Sequence, residues 1–232
     1  MPEINYNYMS KFVLSLGGSL IYPEKIDIDY LKAFRALILR YLDKNEFYII
    51  TGGGRLAREA QAAVKSAGEI SGENLDWLGI AATRVNAELV KALFGEEANA
   101  EILYDPSIAP VEKKRIYVGG GSRPGWSSDY VAVSLAKTVG AKTVLNLSNI
   151  DYVYEQDPRK NRDAKPIEKM SWSDMKKIVG GEWTPGANVP FDPVACKLAE
   201  ESGIAVVVMN GKKLDNLEKY LSGDKYIGTI IG

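Results

Sequence analysis

The sequence predicts an α/β protein, with a mainly parallel sheet covered by helices on both faces. Runs rich in Val, Ile, Phe and Tyr alternate with segments of helical periodicity along the chain. Several of those runs are continuously apolar rather than alternating, as strands buried on both sides are. Three of them end directly on glycine clusters, which in a parallel sheet would emerge together at the carboxyl edge.

The first eight or so residues read as a short tail. A strand at 11 to 16 (KFVLSL) then runs into Gly17-Gly18-Ser19. A helical pattern at 29 to 43 leads to a second strand at 47 to 51 (FYIIT), which stops on Gly52-Gly53-Gly54. Helical patterns follow at 55 to 67, where Leu56, Ala60, Ala63, Val64 and Ala67 share one stripe, and at 76 to 94. The third strand, 115 to 118 (RIYV), leads to Gly119-Gly120-Gly121-Ser122, and a helix at 128 to 139 carries Tyr130, Val133, Ala136 and Lys137 near one face. A fourth strand lies at 143 to 147 (TVLNL) and a fifth at 204 to 209 (IAVVVM). Helical patterns at 171 to 179, 192 to 202 and 212 to 221 complete the alternation. The stretch from Tyr152 to Trp183 is the densest in charge and turn residues, and predicts a β-hairpin excursion and flap.

Composition narrows the chemistry. The chain of 232 residues, 46% apolar and 25% charged, has the make-up of a soluble globular protein. Its 29 basic and 30 acidic residues leave a net charge of −1, so no global field favours nucleic acid or an anionic membrane. The single cysteine, Cys196, allows no internal disulfide and fits a reducing cytoplasm, where small core filler is its expected role. There is no histidine, which removes Ser-His-Asp triads and the usual neutral-pH general base. No run is long enough to span a membrane, and MPEINYNYMSK lacks the features of a signal peptide.

Glycine after a strand lets backbone N–H groups approach an anion without a Cβ in the way, and a helix starting just beyond adds its positive end. One such loop is as readily a tight turn. Three on one edge point to an extended polyphosphate site or to two facing phosphate sites. The P-loop G-x-x-x-x-G-K-[ST] is absent. Gly52-x-Gly54-x-x-Ala57 loosely matches a dinucleotide fingerprint with Asp76 about twenty residues on, but SGENLDWLGI reads as a turn into a helix, not as the end of a second strand.

Taken together, LGGSL, TGGGRLAR, DWLGIAATRVNA, GGGSRPGWSSDYVAVSLA, NIDYVYEQDPRK and FDPVACKLAEESGIAVVVMN resemble the amino-acid kinase superfamily, in its order and spacing. The likeness is greatest to the archaeal type of uridylate (UMP) kinase. It implies one αβα sandwich over 1–232, with the phosphoryl acceptor in the N-terminal half and ATP in the C-terminal half. It also implies Mg²⁺ dependence and a homo-oligomer, usually a hexamer of dimers.

By that resemblance Gly53, Gly54 and Arg58 belong to the acceptor-phosphate site, and an arginine one turn into a helix suits a phosphate independently, though it is also an ordinary solvated position. Asp76 resembles the carboxylate that takes the ribose hydroxyls of UMP; its structural alternative is an N-terminal helix acid. Gly121, Ser122, Ser127 and Ser128 resemble the segment that reads the uracil edge, the serines being equally suited to N-caps. Asp129 and Asp192 resemble two acids beside the transferring phosphoryl, which can orient cationic groups or Mg²⁺ and need not act as bases. Gly17, Gly18, Ser19, Asn149, Asp151, Tyr154, Asp157 and Lys160 resemble the ATP side, where a hairpin with an exposed aromatic is the structural alternative.

The chain departs from the family in three places. Ser15 stands where the family often has lysine, leaving Mg²⁺, backbone amides and another cation such as Lys197 or Lys160 to neutralise the phosphoryl. Tyr152 replaces a glycine, which is expected to crowd or reshape the ATP loop, and Gly120-Gly121-Ser122 replaces a Gly-Thr or Gly-Gly-Thr pattern. The resemblance implies ATP:UMP phosphotransfer. The alternatives are a non-catalytic nucleotide or oxyanion binder of the same fold, favoured by Ser15 and Tyr152, and a kinase of another small acid. Isopentenyl phosphate kinases are disfavoured because they hold their substrate phosphate with a histidine.

Overall fold

A computed structural model describes residues 9–158, 160–161, 163–180 and 189–232. The N-terminal tail expected over the first eight residues lies outside them, as does part of the flap expected over 152–183.

The first strand β1 (Ser10–Leu16) pairs in parallel with β2 (Asn45–Thr51) on one side and β4 (Thr143–Ser148) on the other. Beyond β2 lies β3 (Ile116–Gly119), also parallel; beyond β4 lies β8 (Ala205–Asn210), parallel again. The sheet ends in β9 (Thr229–Ile231), antiparallel to β8, and the two-residue β7 (Lys169–Met170), giving the order β3-β2-β1-β4-β8-β9-β7. The chain winds outward from β1 to β3, then returns to the other side of β1 at β4. This reversal makes the carboxyl ends of β1 and β4 the switch point, where such sheets open a crevice.

The helices are α1 (Gly18–Ile21), α2 (Ile28–Arg40), α3 (Gly54–Ala67), α4 (Gly72–Phe94), α5 (Ser128–Val139), α6 (Trp172–Val179), α7 (Pro193–Glu201) and α8 (Leu214–Ser222). Successive strand residues serve opposite cores. Val13, Ile50, Val144 and Val208 meet α5, α6 and α7, whereas Leu14, Ile49, Leu145 and Val207 meet α2, α4 and α8. The expected hairpin is β5 (Val153–Tyr154) paired antiparallel with β6 (Pro166–Ile167). The edge strand β3 is covered by the preceding loop, where buried Asn99 mimics a strand: its Nδ2 donates to Val118 O at 3.0 Å and its Oδ1 accepts from Val118 N at 2.7 Å.

Some expectations need correction. In α3 the stripe is not the buried face: Ala57 is its buried residue, Leu56, Ala60 and Val64 are half-buried, and Ala63 and Ala67 are exposed. Helix α4 starts one turn earlier than expected because the Ser71 side chain accepts from Asn74 N and caps it, so Asp76 is not a first-turn acid. No helix follows directly on the third glycine cluster, since α5 begins only at Ser128. No described helix is long and apolar enough to cross a membrane.

Candidate active site

The glycine clusters behave differently from one another. Gly17 donates its amide to Leu147 O at 2.9 Å and Gly52 to Leu16 O at 2.9 Å. The first two loops are pressed together: a Cβ on Gly18 would lie 2.4 Å from Gly52 O, and one on Gly54, where φ is +59°, 2.3 Å from the Gly18 carbonyl carbon. These glycines are needed for backbone-to-backbone contact as much as for any ligand. In the third cluster Gly120 N donates to Leu103 O at 3.2 Å and Gly121 N to Thr83 Oγ1 at 2.6 Å, so neither amide faces an anion. Gly53 and Gly54 of the middle cluster line a cleft. Helix α3 begins on Gly54 without a side-chain cap, and its positive end faces the same cleft as the Arg58 side chain.

That cleft has a volume of about 570 Å³. It is lined by Gly53, Gly54, Arg58, Asp76, Gly121, Ser127 and Ser128 from the expected acceptor set, and by Ser19 and Asn149 from the expected ATP set. Ser122 does not line it; its carbonyl accepts from Arg84 Nη2 at 3.0 Å. Gly17, Gly18, Asp151, Tyr154, Asp157 and Lys160 are not on its walls either, and the expected catalytic acids Asp129 and Asp192 lie behind Ser127 and Ser128 rather than on its surface. Asp151 forms an ion pair of 2.8 Å with Lys213 ahead of α8, Tyr154 pairs with Pro166 in the hairpin, and Asp157 accepts from Lys160 N at 3.0 Å in the intervening turn. Lys197 reaches out to Glu201, at 3.9 Å, on the surface of α7.

The two acids meet at the switch point. Ser15 Oγ, on buried β1, donates to Asp129 Oδ1 at 3.0 Å, and Asp192 N donates to Asp129 Oδ2 at 3.3 Å. Asp192 caps α7 by accepting from Val194 N at 2.7 Å, and it also accepts a hydrogen bond from Ser127 Oγ, the cap of α5. Burial pushes the Asp129 carboxyl up to about 6; Ser15's hydrogen bond opposes this, while the Asp192 charge adds to it. Behind the pair Cys196 is fully buried, and burial followed by the two carboxylates pushes its thiol up to about 12, the character of core filler. Among the described residues no three carboxylate or thiol groups converge as a metal site.

Several positioning residues lie in DWLGIAATRVNA without having been assigned a role by sequence reasoning. Buried Asn86 donates to Gly52 O at 2.8 Å, Thr51 Oγ1 donates to Thr83 O at 2.8 Å, and Arg84 Nε donates to Gly121 O at 3.1 Å. Helix α4 thus holds two glycine loops in place. Polar residues at helical spacing read as a solvated face, and no local signal distinguishes these.

Residues 10–210, from the first residue of β1 to the last of β8, match the model of the amino acid kinase family. The chain is 34% identical over 226 residues to a uridylate kinase of Methanospirillum hungatei, spanning 96% of this chain and 95% of that one. It is 33% identical over 224 residues to a uridylate kinase of Pyrococcus abyssi, spanning 95% and 99%. The crystal structure of uridylate kinase from Archaeoglobus fulgidus superposes with a TM-score of 0.82 at 31% identity, over 97% of this chain and 100% of that one. A UMP kinase of Bacillus anthracis, 20% identical, shares the fold with a TM-score of 0.74. By sequence and by architecture, the chain belongs to the amino acid kinase family.

Proposed function

We propose that this protein transfers the γ-phosphoryl group of ATP to UMP, giving ADP and UDP, as a step of pyrimidine nucleotide supply. The observation that carries this reading is the shared cleft: the uncapped start of α3 with Arg58, the carboxylate of Asp76, and the switch-point end bearing Ser127, Ser128 and Asn149. The full-length likeness to proteins named uridylate kinase supports the substrate. The α3 amides and Arg58 hold the UMP phosphate, and Asp76 takes the ribose hydroxyls.

In the reaction an oxygen of the UMP phosphate forms the new bond to the γ-phosphorus, and the bond to the β,γ-bridging oxygen breaks. The acceptor oxygen is already anionic at neutral pH, so the absence of histidine is no obstacle. Positioning and charge compensation do most of the work. Asp129 and Asp192 supply two carboxylates, each already accepting hydrogen bonds, with no third acid beside them among the described residues. These residues do not build a resident metal site, and Mg²⁺ is taken to arrive with the triphosphate. Asp129 and Asp192 order the starts of α5 and α7, the interlock of Ser15, Ser127 and the two acids fixing one helix against the other.

In this reading the whole chain works as one cytoplasmic kinase domain, acceptor in the N-terminal half and ATP in the C-terminal half, and assembles as a homo-oligomer. Asn149, Asp151, Tyr154, Asp157 and Lys160 are assigned to the ATP side. Ser15 favours a second reading, a nucleotide binder without turnover, because it brings no positive charge and its hydroxyl is directed to Asp129. Incubation with ATP, Mg²⁺ and a panel of nucleoside monophosphates, read by mass spectrometry, decides between them. Conversion of UMP to UDP with AMP and GMP left unconsumed supports the kinase; tight UMP binding without UDP supports the binder.

A further inference from the structure

We propose that Arg123, carried on the ring of Trp126, is a specificity-determining residue that reads the 4-position of the acceptor base and favours a carbonyl oxygen there over an amino group. This rests on the reading of the cleft as a UMP site. The order of groups around the cleft places the base. Gln61 Nε2 of α3 donates to Leu75 O of α4 at 2.8 Å, and the neighbouring Asp76 accepts from Gly125 N at 2.8 Å. Asp76 therefore stands between the α3 wall, with Arg58, and the loop that contains Gly125. With the phosphate on Arg58 and the ribose on Asp76, the base falls against that loop.

The loop is built to present two side chains. Trp126 N donates to Arg123 O at 3.2 Å across Pro124 and Gly125, with Gly125 at φ +81°, a tight turn whose sequence suits type II. The turn sets its first and last residues side by side: the Arg123 guanidinium lies 3.7 Å from the Trp126 ring centroid. Trp126 is braced in turn by Tyr130 of α5, ring centroids 4.6 Å apart. Both Arg123 and Trp126 line the cleft.

Arg123 makes no side-chain hydrogen bond or ion pair among the described residues. Asp105 feels its charge, but that carboxyl is held low first by its hydrogen bonds from Ser107. The contrast with Arg84 is informative, because Arg84 donates to Gly121 O and Ser122 O and is committed to holding the loop. A guanidinium offers donors only, so at the 4-position of the base it pairs with the uracil carbonyl and meets another donor in the cytosine amino group. The planar aromatic support limits the ways Arg123 can turn to accommodate the wrong base.

The test compares kcat/KM for UMP and CMP at saturating MgATP in the wild type, Arg123→Ala, Trp126→Ala, Trp126→Phe and Arg58→Ala. Circular dichroism and thermal melts of each protein confirm the fold. Arg123→Ala is expected to lower kcat/KM for UMP about tenfold, mainly through KM, with CMP changed by less than about twofold, so that the UMP:CMP ratio collapses. Trp126→Ala moves the ratio the same way, and Trp126→Phe restores it by keeping an aromatic face. Arg58→Ala weakens both nucleotides alike and keeps the ratio. Turnover of UMP with an unchanged ratio in Arg123→Ala overturns this inference alone, whereas a wild type that phosphorylates neither nucleotide overturns the kinase reading and the inference with it.

Discussion

Replacing Asp129 by Asn should make the protein more stable at neutral pH while reducing its turnover, because the site holds an ionised carboxylate where burial opposes it. The Asp129 carboxyl sits at about 6 in the folded protein against 3.8 when unperturbed. The folded chain therefore binds this proton more tightly than the unfolded chain. Stability falls as pH rises from about 4 to 6 and stays reduced above that, by about 3 kcal/mol for a shift of about two units. The asparagine side chain of the Asp129→Asn variant has no charge to bury and still accepts from Ser15, but its amide nitrogen would face Asp192 N, which lies 3.3 Å from Asp129 Oδ2 in the wild type. That donor-to-donor contact costs about 1 kcal/mol, leaving a net gain of about 2 kcal/mol above pH 7. Urea denaturation of both proteins at pH 4.5 and pH 8, at equal concentration, isolates the group. The advantage of Asp129→Asn should grow by about 2 kcal/mol between the two pH values, with turnover at least about tenfold lower. A difference that stays flat with pH, or a mutant less stable at pH 8, would refute the account of a desolvated, ionised Asp129.

Ser15→Ala removes the hydrogen bond that holds the Asp129 carboxyl down, so the acid limb of the pH–rate profile should move to higher pH, while turnover at pH 8 falls less than about tenfold; an unmoved limb would show that Ser15 does not act on Asp129. Arg58→Ala should raise KM for UMP with little change in kcat, as loss of uniform phosphate binding does, and a fall in kcat at constant KM would place Arg58 in the transition state instead. Gly54→Ala, at φ +59° and with its Cβ 2.3 Å from the Gly18 carbonyl carbon, should cost at least about 3 kcal/mol of stability or prevent folding. Gly72→Ala, where nothing lies within 4 Å of the new Cβ, should be neutral or stabilising in the same thermal melts, and equal effects at the two sites would count against loop packing.

The parallel strands were legible because residues such as Val13, Leu14, Ile49 and Ile50 are buried on both faces and so leave continuous apolar runs. Strands of two or three residues, β5, β6, β7 and β9, leave no periodicity to read. Glycine clusters announce that backbone comes close to something without saying to what. At Gly18 and Gly54 the partner is the other loop, and at Gly121 it is Thr83. Ser127 and Asp192 turned out to be helix caps that also hydrogen-bond each other, so the structural and functional readings of those residues are not exclusive. The contribution of α4 is not legible in the sequence, because Thr83 and Asn86 act through tertiary hydrogen bonds that only the folded chain brings together. The role of Ser15 was hidden in the same way, since Asp129 is 114 residues distant in sequence.

The most direct test of the central claim is a rapid-quench single turnover with ATP labelled in its γ-phosphate, excess enzyme and UMP. Label should appear in the β-phosphate of UDP in the wild type, and the transfer should slow in Asp192→Asn without loss of UMP binding. Label that stays in ATP while UMP is bound, or is released only as inorganic phosphate, would contradict phosphotransfer at this cleft.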